Sequence, residues 1–356
     1  MPRLKNRKGA ILVLAAFTMV VLVIMLAFVI DVSRMLVQKN ELQTGTDAAA
    51  HASAIQLLSD PSQVPAVASA AGARNTVLGR TTTFPASSIQ CGIWDGTTNG
   101  WGTGSPHTLP CTAADNAVQV SGSDPTSYLF QSVLGAAAAQ VHTVAVAWAA
   151  PQVTSSSCVK PWGLFYSELT TRLNPSAAAN RDLTAADLVQ LATLPASQLT
   201  VTLKQGAPPS PSGGNFGAMD FGNGANAYGT YINTCYPVVI GPGDIIDTET
   251  GNMDGPTRSN VCILCNHPSL CNGNPPTYPC TNADGSVGVS VKVVLFDLVG
   301  KKSSGKYPVT IRMISGFSLD QVSNKGSEIT GHFIRATDEG AIGTKFGTLV
   351  RIVLVE

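Results

Sequence analysis

The chain has 356 residues, of which 44% are hydrophobic and 12% are charged. This composition can bury a core, so a fully disordered polar protein is excluded. The 22 Lys and Arg residues balance the 22 Asp and Glu residues. Because a nucleic-acid-binding surface needs excess positive charge to displace counterions, the balance argues against nucleic acid as a partner.

The first predicted element is a transmembrane helix at residues 9–30, a segment of 22 residues without a charge. At 1.5 Å per residue, about 20 helical residues cross the hydrocarbon core of a bilayer. A basic head, residues 1–8, precedes the helix with four cations, Arg3, Lys5, Arg7 and Lys8. Cations on this side predict a cytoplasmic N-terminus and an extracytoplasmic location for the rest of the chain.

Two kinds of processing would remove this anchor. A cleaved signal peptide has an apolar core of about 7–15 residues, whereas the apolar segment here is longer and Asp31 follows it. The sequence Arg7-Lys8-Gly9 resembles a type IV prepilin cleavage site. Such pilins generally carry Glu at the fifth position after the glycine, where this chain has Leu14. The pattern favours a retained anchor, and processing at Gly9 stays open.

The helical pattern continues beyond the membrane to Ser59. One predicted face runs through Val32, Met35, Leu36, Lys39, Leu42, Gln43 and Thr46. The small residues Ala49, Ala50, Ser53 and Ala54 extend it, and would let a partner helix or sheet approach closely. Asp60 and Pro61 predict the start of a second helix, and Gly79 predicts its end.

From Thr81 the pattern changes to short strands. Strands are predicted at Ser88–Trp94, Ala117–Ser121 and Val141–Ala149, with a short helix from Asp124 to Gly135. Together with the helix, these elements predict an α+β domain at residues 31–150. The predicted fold class is therefore α+β, with a transmembrane helix that continues outside the membrane and an antiparallel β-rich, disulfide-braced ectodomain.

Residues 151–286 form a loop-rich, cysteine-containing region with a helix at Ala185–Leu194, capped by Thr184. Several turns are predicted in Gly206–Gly229. Residues 287–356 form a predicted C-terminal antiparallel β region. Its four strands are Val287–Leu298, Tyr307–Ser318, Glu328–Arg335 and Thr348–Val355.

Eight cysteines follow the anchor: Cys91, Cys111, Cys158, Cys235, Cys262, Cys265, Cys271 and Cys280. An even number in an oxidising compartment favours disulfides, whose connectivity the sequence leaves open. Cys91 and Cys111 flank one loop and are the favoured pair.

Metal and redox interpretations are weaker. The cysteines of Cys262-x2-Cys265 have zinc-ligand residue types together with His267, Cys271 and Cys280, but a second Cys-x2-Cys or a His-x3–5-His pair is missing. No thioredoxin-like context supports redox chemistry at the Cys-x2-Cys pair. The acidic residues near 251 could be a calcium loop, but their spacing is typical of a solvated turn: Asp244, Asp247, Glu249 and Asp254. Catalytic motifs are absent from the sequence. We therefore expect no metal, no cofactor and no enzymatic activity.

The N-terminal pattern resembles the TadE/TadG-like proteins of tight-adherence (Flp) pilus assembly. The signature residues are Gly9 before the helix, Asp31 after it, and then Leu42, Gln43 and Asp47, the last opening an Asp-Ala-Ala-Ala run. Weaker likenesses follow at Gly92–Asp95, Asn116–Val120, 124–147 and 251–257. The Asp-x-Ser-x-Ser metal motif of some TadG-like proteins does not occur in the chain.

This resemblance implies a pilin-like accessory protein in the inner (cytoplasmic) membrane. Its partners would be the lipid bilayer, other pilus or secretion-system subunits, and further copies of itself. Two alternatives remain open. One is an exported minor pilin, pseudopilin or adhesin of a cell-surface fibre, and the other is a membrane-tethered enzyme.

Overall fold

The computed structural model describes residues 7–126, 128–130, 135, 137–150, 153–178, 180–204, 217–222, 224–249, 253–300, 306–340 and 347–355, with side chains from residue 12 onward. Its first element is a single α-helix, α1 (Arg7–Leu57), 51 residues long. The predicted membrane segment and its continuation are thus one helix. Asp60 then accepts a hydrogen bond from the Ser62 amide, which caps a 3-10 turn at Pro61–Gln63.

The N-terminal half of the fold packs α1 and α2 (Val64–Ala73) against a six-stranded sheet. The strands in this part of the chain are β1 (Thr76–Val77), β2 (Arg80–Thr81), β3 (Ile89–Gly92), β4 (Trp94–Asp95), β5 (Gly100–Trp101), β6 (His107–Thr108), β7 (Ala117–Thr126) and β8 (Ala139–Ala150). The long antiparallel pair β7–β8 forms the centre of this sheet, and β3 and β6 continue it on one side. The pairs β1–β2 and β4–β5 are separate two-stranded ribbons.

The second half is built on an eight-stranded sheet with short helices around it. Its helices are α3 (Tyr166–Leu173), α4 (Ala185–Thr193), α5 (Ala196–Leu199), α6 (Gly224–Asn233) and α7 (Asp254–Leu264). Its strands are β9 (Gly163–Phe165), β10 (Thr200–Lys204), β11 (Met219–Asp220), β12 (Ile245–Thr248), β13 (Tyr278–Pro279), β14 (Val289–Leu298), β15 (Pro308–Ser323) and β16 (Glu328–Ile334). The 16-residue strand β15 organises the sheet, because β12, β13, β14 and β16 all pair with it.

The α+β class predicted from the sequence is confirmed, but the last strand lies elsewhere. The chain ends in β17 (Ala336–Thr337) and β18 (Leu349–Val355). Residues 351–355 pair antiparallel with Ala150 to Val146 of β8, so the terminal strand completes the first sheet and not the second. Alternation of apolar and polar residues along a strand shows which face of the strand is buried, but not which neighbouring strand it pairs with. The sequence therefore could not assign β18 to either sheet.

Three local predictions were wrong. The predicted helix at 124–135 begins within β7, where Asp124 pairs with Val141; residues 131–134 lie outside the described residues. The second helix ends at Ala73, and Gly79, at φ +76°, belongs to the two-residue turn between β1 and β2. Residues 224–229 of the predicted turn region belong to α6, while 205–216 are not described.

The helix at α4 is confirmed, with its cap. The Thr184 hydroxyl accepts a hydrogen bond from the Asp187 amide, and the Asp187 carboxylate accepts one from the Thr184 amide. This reciprocal arrangement is a capping box, which satisfies two amides that a helix start otherwise leaves without a partner.

Candidate functional site

The first half of α1 lies entirely outside the folded core. From Leu12 to Ile30 its side chains are exposed, apart from a half-buried Ala27, and the apolar ones include Leu22 at 65% and Phe17 at 67%. The best 18-residue window has a mean hydropathy of 3.1. Among the described residues, α1 is the one helix long and apolar enough to cross a membrane. Its first half is therefore a membrane anchor.

Asp31 marks the point at which the same helix enters the fold. Its side chain is buried, at 3% exposure. Oδ1 accepts a hydrogen bond from the Leu129 amide at 2.8 Å, and Oδ2 accepts one from the Phe130 amide at 3.1 Å. A charged acceptor makes a stronger hydrogen bond than a neutral one. The signature aspartate thus ties the loop after β7 to the first turn of α1 beyond the apolar segment.

Gln38, two turns further along α1, contacts the C-terminal end of β7, the strand that leads into this loop. It is fully buried, and its Nε2 donates to Asp124 Oδ2 at 2.5 Å and to the Pro125 carbonyl at 3.2 Å. The Arg80 guanidinium also donates to Asp124 Oδ2, at 2.7 Å. Because Arg80 is 56% exposed, this ion pair contributes little stability compared with the buried amide.

Leu42 lies where α1 packs against β7 and β8. It is fully buried together with Val77 and Val141. One turn away, the Thr46 hydroxyl lies 2.7 Å from the Thr143 hydroxyl of β8. Gly122 of β7 makes this approach possible, since a Cβ there would lie 2.4 Å from Thr143 Oγ1 and 2.6 Å from Thr46 Oγ1.

Gln43 and Asp47 form a smaller contact at the side of α1. Gln43 Nε2 donates to Asp47 Oδ1 at 2.7 Å and to the Val144 carbonyl of β8 at 3.1 Å. Strand β18 pairs with β8 only over residues 146–150. Gln43 therefore hydrogen-bonds β8 in the part that β18 does not reach.

The predicted small-residue face is confirmed as a close-packing face, but its occupant is the chain itself. Ala49, Ala50 and Ala54 are fully buried in one cluster with α2 and the first sheet, and Ser53 is fully buried as well. This face is consequently not available to a second subunit. The predicted face of α1 also differs from the buried face. Leu36, at 54% exposure, and Lys39 point outward, whereas Gln38 is buried in the interface with the sheet.

Among the signature residues, the structure brings Asp31, Leu42, Gln43 and Asp47 onto the helix–sheet interface or its rim. Gly9 lies inside α1 near its start. We call the contacts of Asp31, Gln38, Leu42, Gln43 and Thr46 with the β7–β8 hairpin the docking seam. Sequence reasoning missed Gln38 and the Thr46–Thr143 contact. Their signal was spacing: 38, 42 and 46 repeat every four residues on one helix face.

All eight cysteines are paired: Cys91–Cys111, Cys158–Cys235, Cys262–Cys271 and Cys265–Cys280. The two residues of Cys262-x2-Cys265 bond to different partners, which contradicts both the zinc and the redox interpretation. Within the described residues, no group of three or more His, Cys, Asp or Glu side chains could hold a metal ion. In the acidic group, Asp244 instead accepts from the Gly241 amide and Asp254 pairs with buried Lys204.

One cluster in the second sheet has the residue types of a serine hydrolase. His332 Nδ1 lies 2.7 Å from Asp320 Oδ2, and Ser318 lies opposite His332 across β15 and β16. The Ser318 hydroxyl, however, donates to Asp320 Oδ1 at 3.0 Å. Nucleophilic catalysis needs the serine bonded to the imidazole, and no such bond occurs among the described contacts. The cluster therefore does not have the geometry of a catalytic triad.

A buried lysine is the other candidate nucleophile. Burial lowers the pKa of Lys160 to about 8, which is within the range of activated lysines. Its Nζ donates to the Ile232 carbonyl at 2.7 Å, and the residue is only 7% exposed. This contact indicates a structural role in holding the end of α6.

Comparison with known proteins gives one match. Residues 9–56 match the model of the family described as Flp pilus-assembly TadE/G-like. No curated protein and no solved structure matches the chain. The match begins at Gly9 and ends one residue before α1 does, so it covers the membrane anchor and the docked helix together. This N-terminal segment is thus similar to the TadE/G-like family of Flp pilus-assembly proteins, as its signature predicts.

Proposed function

We propose that this protein is a membrane-anchored structural or accessory component of tight-adherence (Flp) pilus assembly or secretion, and that it acts by protein–protein assembly. The observation that carries the proposal is the docking seam. Three of the five signature residues, Asp31, Leu42 and Gln43, belong to this seam directly outside the apolar segment, and Asp47 accepts a hydrogen bond from Gln43 at its rim. Residues that bind a substrate would surround a cleft, whereas here they join the anchor helix to the ectodomain.

The proposed location is the inner (cytoplasmic) membrane, crossed once, with the N-terminus in the cytoplasm and the bulk outside. The cations before the helix support this orientation. The four cysteine pairs support it independently, because all of them lie beyond the helix and disulfides persist in oxidising compartments. The domain at 31–150 stays a prediction, and β17 and β18 would add two strands to its sheet.

The proposed partner surface is the side of α1 opposite the docking seam. Leu36 and Val37 are 54% and 48% exposed there, and Asn40 and Thr44 continue the exposed strip. This strip extends the lipid-exposed part of α1 on the same helix. The partner that fits it is the apolar helix of another pilin-like subunit in the same membrane, either a second copy or a related protein.

A genetic experiment tests the proposal. Deletion of the gene should abolish pili and surface adhesion, and the wild-type gene should restore both. A photo-crosslinking residue at position 37 should then capture a pilus subunit in cells, whereas the same residue at position 38, which is buried, should not. Normal piliation in the deletion strain would overturn the proposed function.

The principal alternative is an exported minor pilin or adhesin of a cell-surface fibre. Its supporting observation is the Arg7-Lys8-Gly9 sequence before the apolar segment. Shearing distinguishes the two: an accessory protein stays with the inner membrane, with its N-terminus unprocessed, whereas a fibre subunit is released with sheared pili and begins at Ala10.

A further inference from the structure

The loop after β7 lies beside the exit of α1 from its apolar segment. Asp31 follows directly after that segment, and its carboxylate is within 3.3 Å of the amides of both Leu129 and Phe130. These contacts fix the backbone of the loop at the level of residue 31 along the helix axis, whatever the rest of the ectodomain does.

The length of the apolar segment sets the depth of this level in the membrane. Residues 9–30 measure about 33 Å as a helix, against about 30 Å for the hydrocarbon core. Because the apolar segment is about as long as the hydrocarbon core is thick, Asp31 lies at the boundary between acyl chains and headgroups. Leu129 and Phe130, held against Asp31, lie at the same boundary.

The side chains at this position are apolar and exposed. Leu129 is 52% exposed and Phe130 is 44% exposed, although their backbone is held by a buried carboxylate. In water, adjacent exposed Leu and Phe side chains lose the stabilisation that burial of apolar surface provides. At a membrane interface the same side chains are favourable, and aromatic residues are enriched there.

We infer that Leu129 and Phe130 insert into the bilayer interface and form a second, non-helical membrane contact beside α1. The occupant of this surface is lipid, because Asp31, whose carboxylate holds the backbone of the patch, directly follows the lipid-exposed segment of α1. Arg34, half-buried, and Lys39, exposed, follow on the next turns of α1, where their charges can reach phosphate groups. With both α1 and the 129–130 loop in the membrane, the ectodomain has a fixed orientation relative to the bilayer. A single helix would leave the ectodomain free to tilt and rotate.

Depth-dependent fluorescence quenching of the full chain in liposomes tests this inference. In Phe130→Trp, the emission added to that of the four natural tryptophans should be blue-shifted. Phosphatidylcholine brominated near the headgroup end of the acyl chains should quench this added emission at least twofold. The matched control is Val238→Trp, at a site that is 52% exposed against 44% for Phe130, and its added emission should not be quenched.

A third variant keeps the test independent of the anchor. Phe17→Trp lies within the apolar segment and should be quenched by bromines deeper in the acyl chains. If Phe17→Trp is quenched and Phe130→Trp is not, the loop contact is overturned while the membrane anchor stands. If the Phe130→Trp emission is not quenched but its wavelength shifts when the protein is diluted, the surface contacts a second copy of this chain. That result would also overturn the inference. Should Phe130→Trp fail to fold, Leu129→Trp takes its place with the same expected outcome.

Discussion

The two halves of α1 have the same backbone geometry but are stabilised differently. From residue 12 to 30 the helix has no buried face, and its backbone groups are satisfied within the helix, as a lipid environment requires. From residue 31 to 57 one face is buried against the first sheet and α2, and polar side chains accompany it. The comparison teaches that the same helix needs only apolar side chains in lipid but needs small residues and specific hydrogen bonds to hold a sheet.

Removing a large side chain should show the largest difference in stability between the two halves of α1. Leu42 is fully buried in the docking seam, and Leu22, on the same helix, is 65% exposed. Leu42→Ala should lower the free energy of unfolding of the ectodomain by about 3 kcal/mol, by loss of burial and creation of a cavity. Leu22→Ala should leave it unchanged within about 0.5 kcal/mol. Urea unfolding of the detergent-solubilised chain, followed by tryptophan fluorescence, measures both; equal effects would contradict the contrast.

Adding a side chain where α1 meets β7 tests the close approach. Gly122→Val places new carbons against Thr46 and Thr143, and overpacking of this kind costs about 2–3 kcal/mol. Gly300→Val is the control, since a Cβ at Gly300 meets nothing within 4 Å. The thermal unfolding midpoint of Gly122→Val should therefore be lower than that of Gly300→Val. A Gly122→Val chain as stable as the control would show that the helix does not approach the sheet here.

Removing the buried carboxylate should release the loop locally. Asp31→Ala leaves the Leu129 and Phe130 amides without this acceptor, at a cost of about 2 kcal/mol. Hydrogen exchange of these two amides should become faster by roughly 30-fold, since about 1.4 kcal/mol is a factor of ten. Amides in the middle of β7 and β8 should change much less. Unchanged exchange at Leu129 and Phe130 would show that Asp31 does not hold the loop.

The smallest effect is expected at the rim of the docking seam. Gln43→Ala removes two hydrogen bonds of a half-buried side chain and should cost about 1 kcal/mol. Thr44→Ala, the next residue and exposed, should have a smaller effect. The two thermal unfolding midpoints distinguish these cases, and a larger loss in Thr44→Ala would contradict the orientation of the helix.

Much of the fold was readable because it depends on local patterns. The apolar segment, its helical continuation, the strand at 141–149 and the Thr184 cap each follow from periodicity or from a capping residue. The strand at 349–355 was also visible as a strand, but its partner, β8, is some two hundred residues away in sequence. Pairing of that kind depends on the whole fold and leaves no local signal.

The docking seam could be predicted only in part. The small residues from Ala49 to Ala54 indicated close packing, but not that the chain's own sheet would occupy the face. The sequence identifies Asp31 only as a signature residue after the membrane helix, because its hydrogen bonds to the 129–130 loop join residues 98 positions apart in the chain. Leu36 and Gln38 both fit a three- or four-residue step, and only the position of the sheet decides between them.

An accessibility scan along α1 tests the central claim most directly. Among the described residues no cysteine is free, so one added cysteine at a time can carry a spin label in the oxidised chain in liposomes. Oxygen should reach every label from residue 12 to 30, without periodicity and with little access for a water-soluble nickel reagent. Beyond Asp31 accessibility should oscillate with the helical repeat, with minima at residues 38, 42 and 46. Nickel access to one side of residues 12–30, or a flat profile beyond 31, would contradict one helix serving as both anchor and docking element.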